Sequence, residues 1–217
     1  MYEILEIPDS SERGLQDLFH EKGWGDGLPM IAPTRERVEE MLSASQDLDP
    51  DEVIASLPPR NGVATRRIIA VNAVMAGCRP EHFPVLVSAI RALSAPEMNL
   101  RGVNATTHCV APLLIVHGKA ARDGNYNSGL GAFGPGNLAN AATGRAVRLT
   151  LLHVAGATPG VGDASTQGSP AKYSYCVAEN LDSSPWGGYA RTVGIDDESA
   201  VTVHCGEAVS YTHLRAH

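Results

Sequence analysis

Between Asp163 and Asn180 the chain gathers its densest set of reactive side chains. Asp163 and Glu179 are proton acceptors, Lys172 is a cation able to offset developing negative charge, and the hydroxyls of Ser165 and Thr166 suit a carboxylate or phosphate. Cys176 adds a thiol. The alternative reading of this stretch is a turn shaped by Asp163 and Ser165, with Lys172 a solvated charge. A second reactive pair is His108-Cys109, where an imidazole beside a thiol favours the thiolate. Neighbours in an extended segment point to opposite faces, so the dipeptide is weak evidence for a dyad, and a free cysteine is more often a small buried apolar group. His108, His117, Cys176, His204 and Cys205 are all competent ligands for zinc or iron, but their spacing matches no metal motif, and no metal set is assigned.

The segment from Asn125 to Arg145 joins a glycine-rich loop to an apolar helix that carries Arg145 and Arg148. Gly129, Gly131, Gly134 and Gly136 allow close backbone approach, and the first amides of the following helix are unpaired donors at the positive end of its dipole. With Asn127, Ser128, Asn137 and Asn140 beside those amides and Arg145 behind them, the stretch reads as an anion cradle. The alternative is an irregular surface loop whose glycines only permit turns. Gly129-Leu-Gly-Ala-Phe-Gly134 spells a dinucleotide-binding fingerprint, yet the nearest strand pattern, Pro112 to His117, ends about a dozen residues earlier, and no second βα unit is legible. The match is read as accidental.

Composition narrows the partners. With 43% hydrophobic and 19% charged residues the chain is able to bury a core, and 17 basic against 24 acidic residues leave a net charge of -7. No Lys/Arg cluster supports nucleic-acid binding, so the expected partner is a small anionic molecule or another protein. No run approaches the roughly 18 apolar residues of a membrane helix, and the start lacks a basic region followed by an apolar one, so the expected address is the cytoplasm, with no membrane partner. Cys78, Cys109, Cys176 and Cys205 are scattered in the manner of reduced thiols.

The elements that must position these groups fall into two halves. Ser10 or Ser11 caps a helix through Leu15, Leu18 and Phe19; Thr34 opens an amphipathic one with Val38, Met41 and Leu42; Asp49-Pro50 caps a short third. Thr65 to Ala76 and Pro80 to Leu93 form a helical hairpin. From Val103 the pattern changes: Val110 to Val116 is a strand expected to be covered on both faces, Asn137 to His153 is a helix, and Lys172 to Val177 and Ala200 to Val203 are further strands. The fold expected is α/β or α+β, a helical lobe over residues 1–100 packed on a small mixed sheet over 101–208, with one long helix after the glycine-rich loop. The two glycine-rich loops, Asn125 to Arg145 and Pro159 to Lys172, are expected to build one pocket. Val209 to His217 reads as translated sequencing-adapter sequence on a truncated gene and is set aside.

Gly25-Asp-Gly-Leu-Pro29, Ala73-Val-Met-Ala-Gly-Cys-Arg-Pro-Glu81, Asn127-Ser-Gly129, Gly134-Pro-Gly-Asn-Leu-Ala-Asn140, Gly144-Arg145, Ser165-Thr-Gln-Gly168, Lys172-Tyr173 and Ala178-Glu-Asn180 together resemble an uncharacterised bacterial family. That family is associated with redox selenoproteins bearing a selenocysteine-Gly-Ser-Cys motif, encoded nearby or fused. The resemblance spans about residues 20 to 207 and implies a companion role in thiol or selenol chemistry, although no such motif occurs in this chain. It transfers no catalytic residue and no cofactor. The leading expectation is an enzyme or catalytic subunit binding a small anionic substrate in the two loops. In that reading Glu179 or Asp163 handles protons, and Cys176 or Cys109 exchanges with a redox selenoprotein-like partner. The alternatives are a non-catalytic ligand-binding or scaffold subunit and a metal-dependent hydrolase.

Overall fold

The computed structural model describes residues 4–7, 9–45, 48–195 and 198–207, and it has an α+β fold. Val209 to His217 lie outside the described residues. Helices start where a short polar side chain is able to cap them. Ser11 accepts from the Gly14 amide at 3.1 Å to open α1 (Glu12–Glu21), and Thr34 from the Arg37 amide at 3.5 Å to open α2 (Arg35–Ser43). Thr65 does the same for α3 (Arg66–Ala76) and Asn137 for α7 (Leu138–Thr150), which runs on into a wider π turn at Leu151–Ala155. The other helices are α4 (Phe83–Leu93), the short α5 (Leu100–Ala105), α6 (Gly118–Asp123) and α8 (Tyr189–Thr192).

The expected helix at Asp49-Pro50 is instead a turn leading into an antiparallel hairpin, β1 (Val53–Leu57) and β2 (Gly62–Thr65). Asp49 closes on the Asp51 amide at 2.8 Å, a local bond that competes with helix, and the alternating side chains of Ile54 to Leu57 then bury Ile54, Ala55 and Leu57. The Pro58-Pro59 bond in the connection is cis.

The second sheet has the order β4-β3-β5, with β3 (Val110–His117) at its centre, parallel to β4 (Cys176–Ala178) and antiparallel to β5 (Ser199–Glu207). The strand expected from Lys172 to Val177 is shortened. Pro170–Lys172 forms a 3-10 turn, and pairing starts only at Cys176. β3 is covered on one face rather than two: Leu114 and Val116 are fully buried, while Leu113 and Ile115 on the other face are half-buried. Helix α7 packs between α3 and the sheet, and α4 packs on β5 and α7. The close approach rests on small residues. A Cβ on Gly144 would run into the Ser174 hydroxyl and the Tyr175 amide, so only glycine lets the lead-in to β4 lie on α7. One hydrophobic cluster runs from Phe19 and Met41 through Ile69, Leu86 and Leu149 to Leu114 and Cys176, crossing the boundary between the two expected lobes.

Candidate functional site

The C-terminal ends of the parallel strands β3 and β4 bring together three side chains. His117 is the last residue of β3, Glu179 follows β4 directly, and Thr202 lies in β5 two positions from the residue paired with His117. The His117 Nδ1 lies 2.6 Å from Glu179 Oε2, and its Nε2 lies 2.8 Å from Thr202 Oγ1. A carboxylate on Nδ1 favours hydrogen there, and in the neutral ring of that tautomer Nε2 accepts from the Thr202 hydroxyl. Glu179 is itself held, because its other oxygen accepts from the Tyr189 amide at 2.6 Å. Burial opposes ionisation of Glu179, but that amide and the His117 ring outweigh it and hold the carboxyl below its usual value. The Tyr189 ring stacks on the imidazole at 6.2 Å between centroids.

His117 is 3% exposed, and with Glu179 it lines a cleft of about 670 Å³ at the surface. Lys119, Arg122, Arg191 and Glu198 also line it. Lys119 is paired with Asp123, whereas Arg122 and Arg191 are exposed and have no ion-pair partner among the described residues. Gly118 makes the turn from β3 into this cleft with φ +64°, where a Cβ would collide with the Glu198 carbonyl. The open end of parallel strands is where α/β folds place ligands.

Most of the other expected site residues are engaged elsewhere. Asp163 is 3% exposed and accepts from Lys172 Nζ at 2.9 and 2.8 Å, Arg148 Nη2 at 3.1 Å and the Ser165 amide at 3.0 Å. The Asp163 carboxylate and the Lys172 ammonium are thus engaged with each other and with Arg148 and do not line the cleft beside His117. The cavity beside Lys172 and Arg148 is only about 10 Å³, room for roughly one water. Ser165 caps the Gly168 amide at 3.2 Å, and Thr166 bonds the Thr107 carbonyl.

Arg145 does not face the glycine-rich loop. Its guanidinium grips Asp26 at 2.7 and 2.8 Å and the carbonyls of Pro29 and Leu28, tying the Gly25-Asp-Gly-Leu-Pro29 turn onto α7. The loop is stitched by its own side chains. Asn127 bonds the Gly129 amide and the Leu130 carbonyl, Asn137 reaches the Asn125 carbonyl, and Asn140 bonds Asn127 and Ala132. Gly131 and Gly136 have φ of +71° and +114° and serve the turns. The crest presents Leu130, fully exposed, and Phe133, 67% exposed, above an open hollow of about 730 Å³ lined by Ser128, Gly129, Gly134, Val177 and Asn180. That surface is apolar, the opposite of an anion cradle. The two segments meet only at the small cavity, which takes Gly144 from the first and Ala171 and Lys172 from the second, while the crest of the first loop lines a separate hollow.

The thiols are also corrected. Cys109 and Cys176 are 1% and 3% exposed, and burial pushes the Cys176 thiol up to about 12. An enclosed thiol behaves as a small apolar core group. His108 pairs with Glu207 at 2.7 Å. The five expected metal-competent residues are not convergent, and among the described residues no three His, Cys, Asp or Glu side chains are placed to hold one ion. Among the described residues, no helix is long and apolar enough to cross a membrane.

Of the expected catalytic residues, Glu179 alone reaches the cleft. The sequence presents His117 only as a metal-competent residue and gives no signal for Thr202. The legible signal was a histidine closing an apolar strand; its hydroxyl partner, 85 residues away, carried none. Comparison with protein-family models, curated proteins and solved structures gives no match to this chain.

Proposed function

We propose that this chain is an enzyme in which the Glu179-supported His117 imidazole takes a proton during attack on a small anionic substrate bound in the adjacent cleft. The observation that carries this reading is the relay Glu179–His117–Thr202, at 2.6 and 2.8 Å, of which Glu179 and His117 line a cleft edged by Arg122 and Arg191. Glu179 orients the ring and stabilises the imidazolium, and the two guanidiniums bind the negative group of the substrate. The class of reaction is hydrolysis or acyl transfer. The experiment is a thermal-shift series with small carboxylates and phosphates, followed by turnover of mono-p-nitrophenyl glutarate. A ligand bound by the native state alone raises the melting temperature. Arg122→Ala with Arg191→Ala removes that rise, and His117→Gln keeps it while lowering turnover by ~10²–10⁴-fold. Unchanged turnover in His117→Gln refutes the reading.

A second reading is favoured by the exposed Leu130 and Phe133: the chain acts beside a redox selenoprotein-like partner that covers this crest. In that arrangement the reactive sulfur or selenium belongs to the partner, because Cys109 and Cys176 are enclosed. Titration calorimetry against a purified protein carrying selenocysteine-Gly-Ser-Cys tests it, and equal affinity for wild type and Leu130→Asp rejects the crest as the contact.

A further inference from the structure

The Thr202 hydroxyl has one hydrogen-bond partner among the described residues, the Nε2 of His117, and Thr202 is only half-buried on β5. β5 is antiparallel to β3, so the register that pairs Thr202 with Ile115 and Ala200 with His117 puts the threonine on the same face as the imidazole. Ala200, directly opposite His117, adds only a methyl on that side. A β-branched side chain in a strand has a restricted χ1, so the hydroxyl is held on Nε2 without further ordering. A structural histidine needs only a satisfied ring. This one has its carboxylate on Nδ1 and a part-exposed alcohol on Nε2, which is the order of groups that activates an alcohol as nucleophile.

We infer that Thr202 Oγ1 is the covalent nucleophile of this site, and that its substrate is an ester or thioester carrying a second anionic group. The inference rests on the proposed role of His117 as base. Oγ1 bonds to the carbonyl carbon while its proton passes to His117 Nε2. Collapse of the tetrahedral intermediate breaks the bond to the alcohol or thiol, which leaves with that proton, and an acyl ester remains on Thr202. Water then attacks the ester, gives its proton to Nε2, and the returning proton restores the Thr202 hydroxyl. The sum is ester or thioester plus water giving acid plus alcohol or thiol, with no oxidant or reductant. Arg122 and Arg191 at the cleft edge hold the second anionic group and thereby select carboxylate-bearing acyl compounds over neutral ones.

The full chain is incubated with a fluorophosphonate and with mono-p-nitrophenyl glutarate, and intact mass and peptide mapping follow. The expected result is one adduct on the peptide that contains Thr202, absent in Thr202→Val and at least ~100-fold slower to form in His117→Gln. Thr202→Ser, which keeps the hydroxyl, retains the adduct. Thr202→Val is nearly isosteric, and its melting temperature reports whether it has folded. No adduct at Thr202, or undiminished turnover in a folded Thr202→Val, overturns the inference. If His117→Gln is then inactive, His117 still acts as base toward water; if His117→Gln is also active, the proposed function fails with it.

Discussion

Replacing Arg145 by Met should destabilise the protein by several kcal/mol while leaving the cleft intact. The substitution keeps the apolar stem against α7 and removes the guanidinium, which contributes two hydrogen bonds to the Asp26 carboxylate and two to carbonyls. Both partners are enclosed, Arg145 at 14% and Asp26 at 4% side-chain exposure, so solvent screens the pair little. Two hydrogen bonds to a charged group at about 1.5–3 kcal/mol each give about 3–6 kcal/mol, in agreement with about 3–5 kcal/mol for removing one partner of a buried pair. At roughly 2–4 °C per kcal/mol for a chain of this length, the melting temperature falls by about 6–24 °C.

Urea unfolding at pH 7, read by tryptophan fluorescence and far-ultraviolet dichroism, measures the loss. Burial would raise the Asp26 carboxyl, but the Arg145 hydrogen bonds and charge, together with the Leu28 amide, outweigh it and lower the group below 3.8. A depressed carboxyl contributes stability that is fully present above 3.8 and lost as pH falls through the lower folded value. The difference between wild type and Arg145→Met is therefore largest at neutral pH and narrows in acid. A loss under about 1 kcal/mol at pH 7 would falsify the argument, because it would make this pair equivalent to a surface one.

Three further outcomes follow from the same geometry. Burial lowers the imidazoles of His82 and His153 below the ordinary value of 6.5, so stability is full above 6.5 and declines as pH falls through their folded values. A melting temperature independent of pH between 7 and 5 contradicts this. Iodoacetamide on the native protein at pH 8 should leave Cys109 and Cys176 unmodified, as mapped by peptide mass; rapid carbamidomethylation of Cys176 would return it to the list of nucleophiles. Lys172→Met should cost about 1.5–3 kcal/mol, because Asp163 keeps Arg148 as a cation, with little change in ligand-induced thermal shift; loss of that shift at unchanged stability would place Lys172 in the binding site.

The α+β class and most helix starts were legible because their causes are local. Ser11, Thr34, Thr65 and Asn137 each cap within three residues of themselves, and the apolar periodicity of α3 and α4 is set by the buried faces those helices present. The β1–β2 hairpin was hidden behind Asp49-Pro50, whose helix-start chemistry closes a turn equally well. In the site, polar density misled. Asp163, Lys172 and Arg148 form a dense polar cluster because they neutralise one another inside the protein, and Arg145 is distinctive because it anchors a distant turn. His117 and Thr202 meet through a strand register that no short window of sequence contains.

The pairing of β3 with β5 also sets a timetable. About 80 residues separate His117 from Ala200, its partner across the ladder. At roughly 5–20 residues per second, a ribosome needs about 4–16 s to deliver the second strand after the first. Throughout that interval one edge of the strand that becomes the centre of the sheet has no native neighbour, and its backbone donors and acceptors are open to any other extended chain. The growing polypeptide is thus open to self-association while α7 is already made, and the proposed nucleophile arrives only with β5.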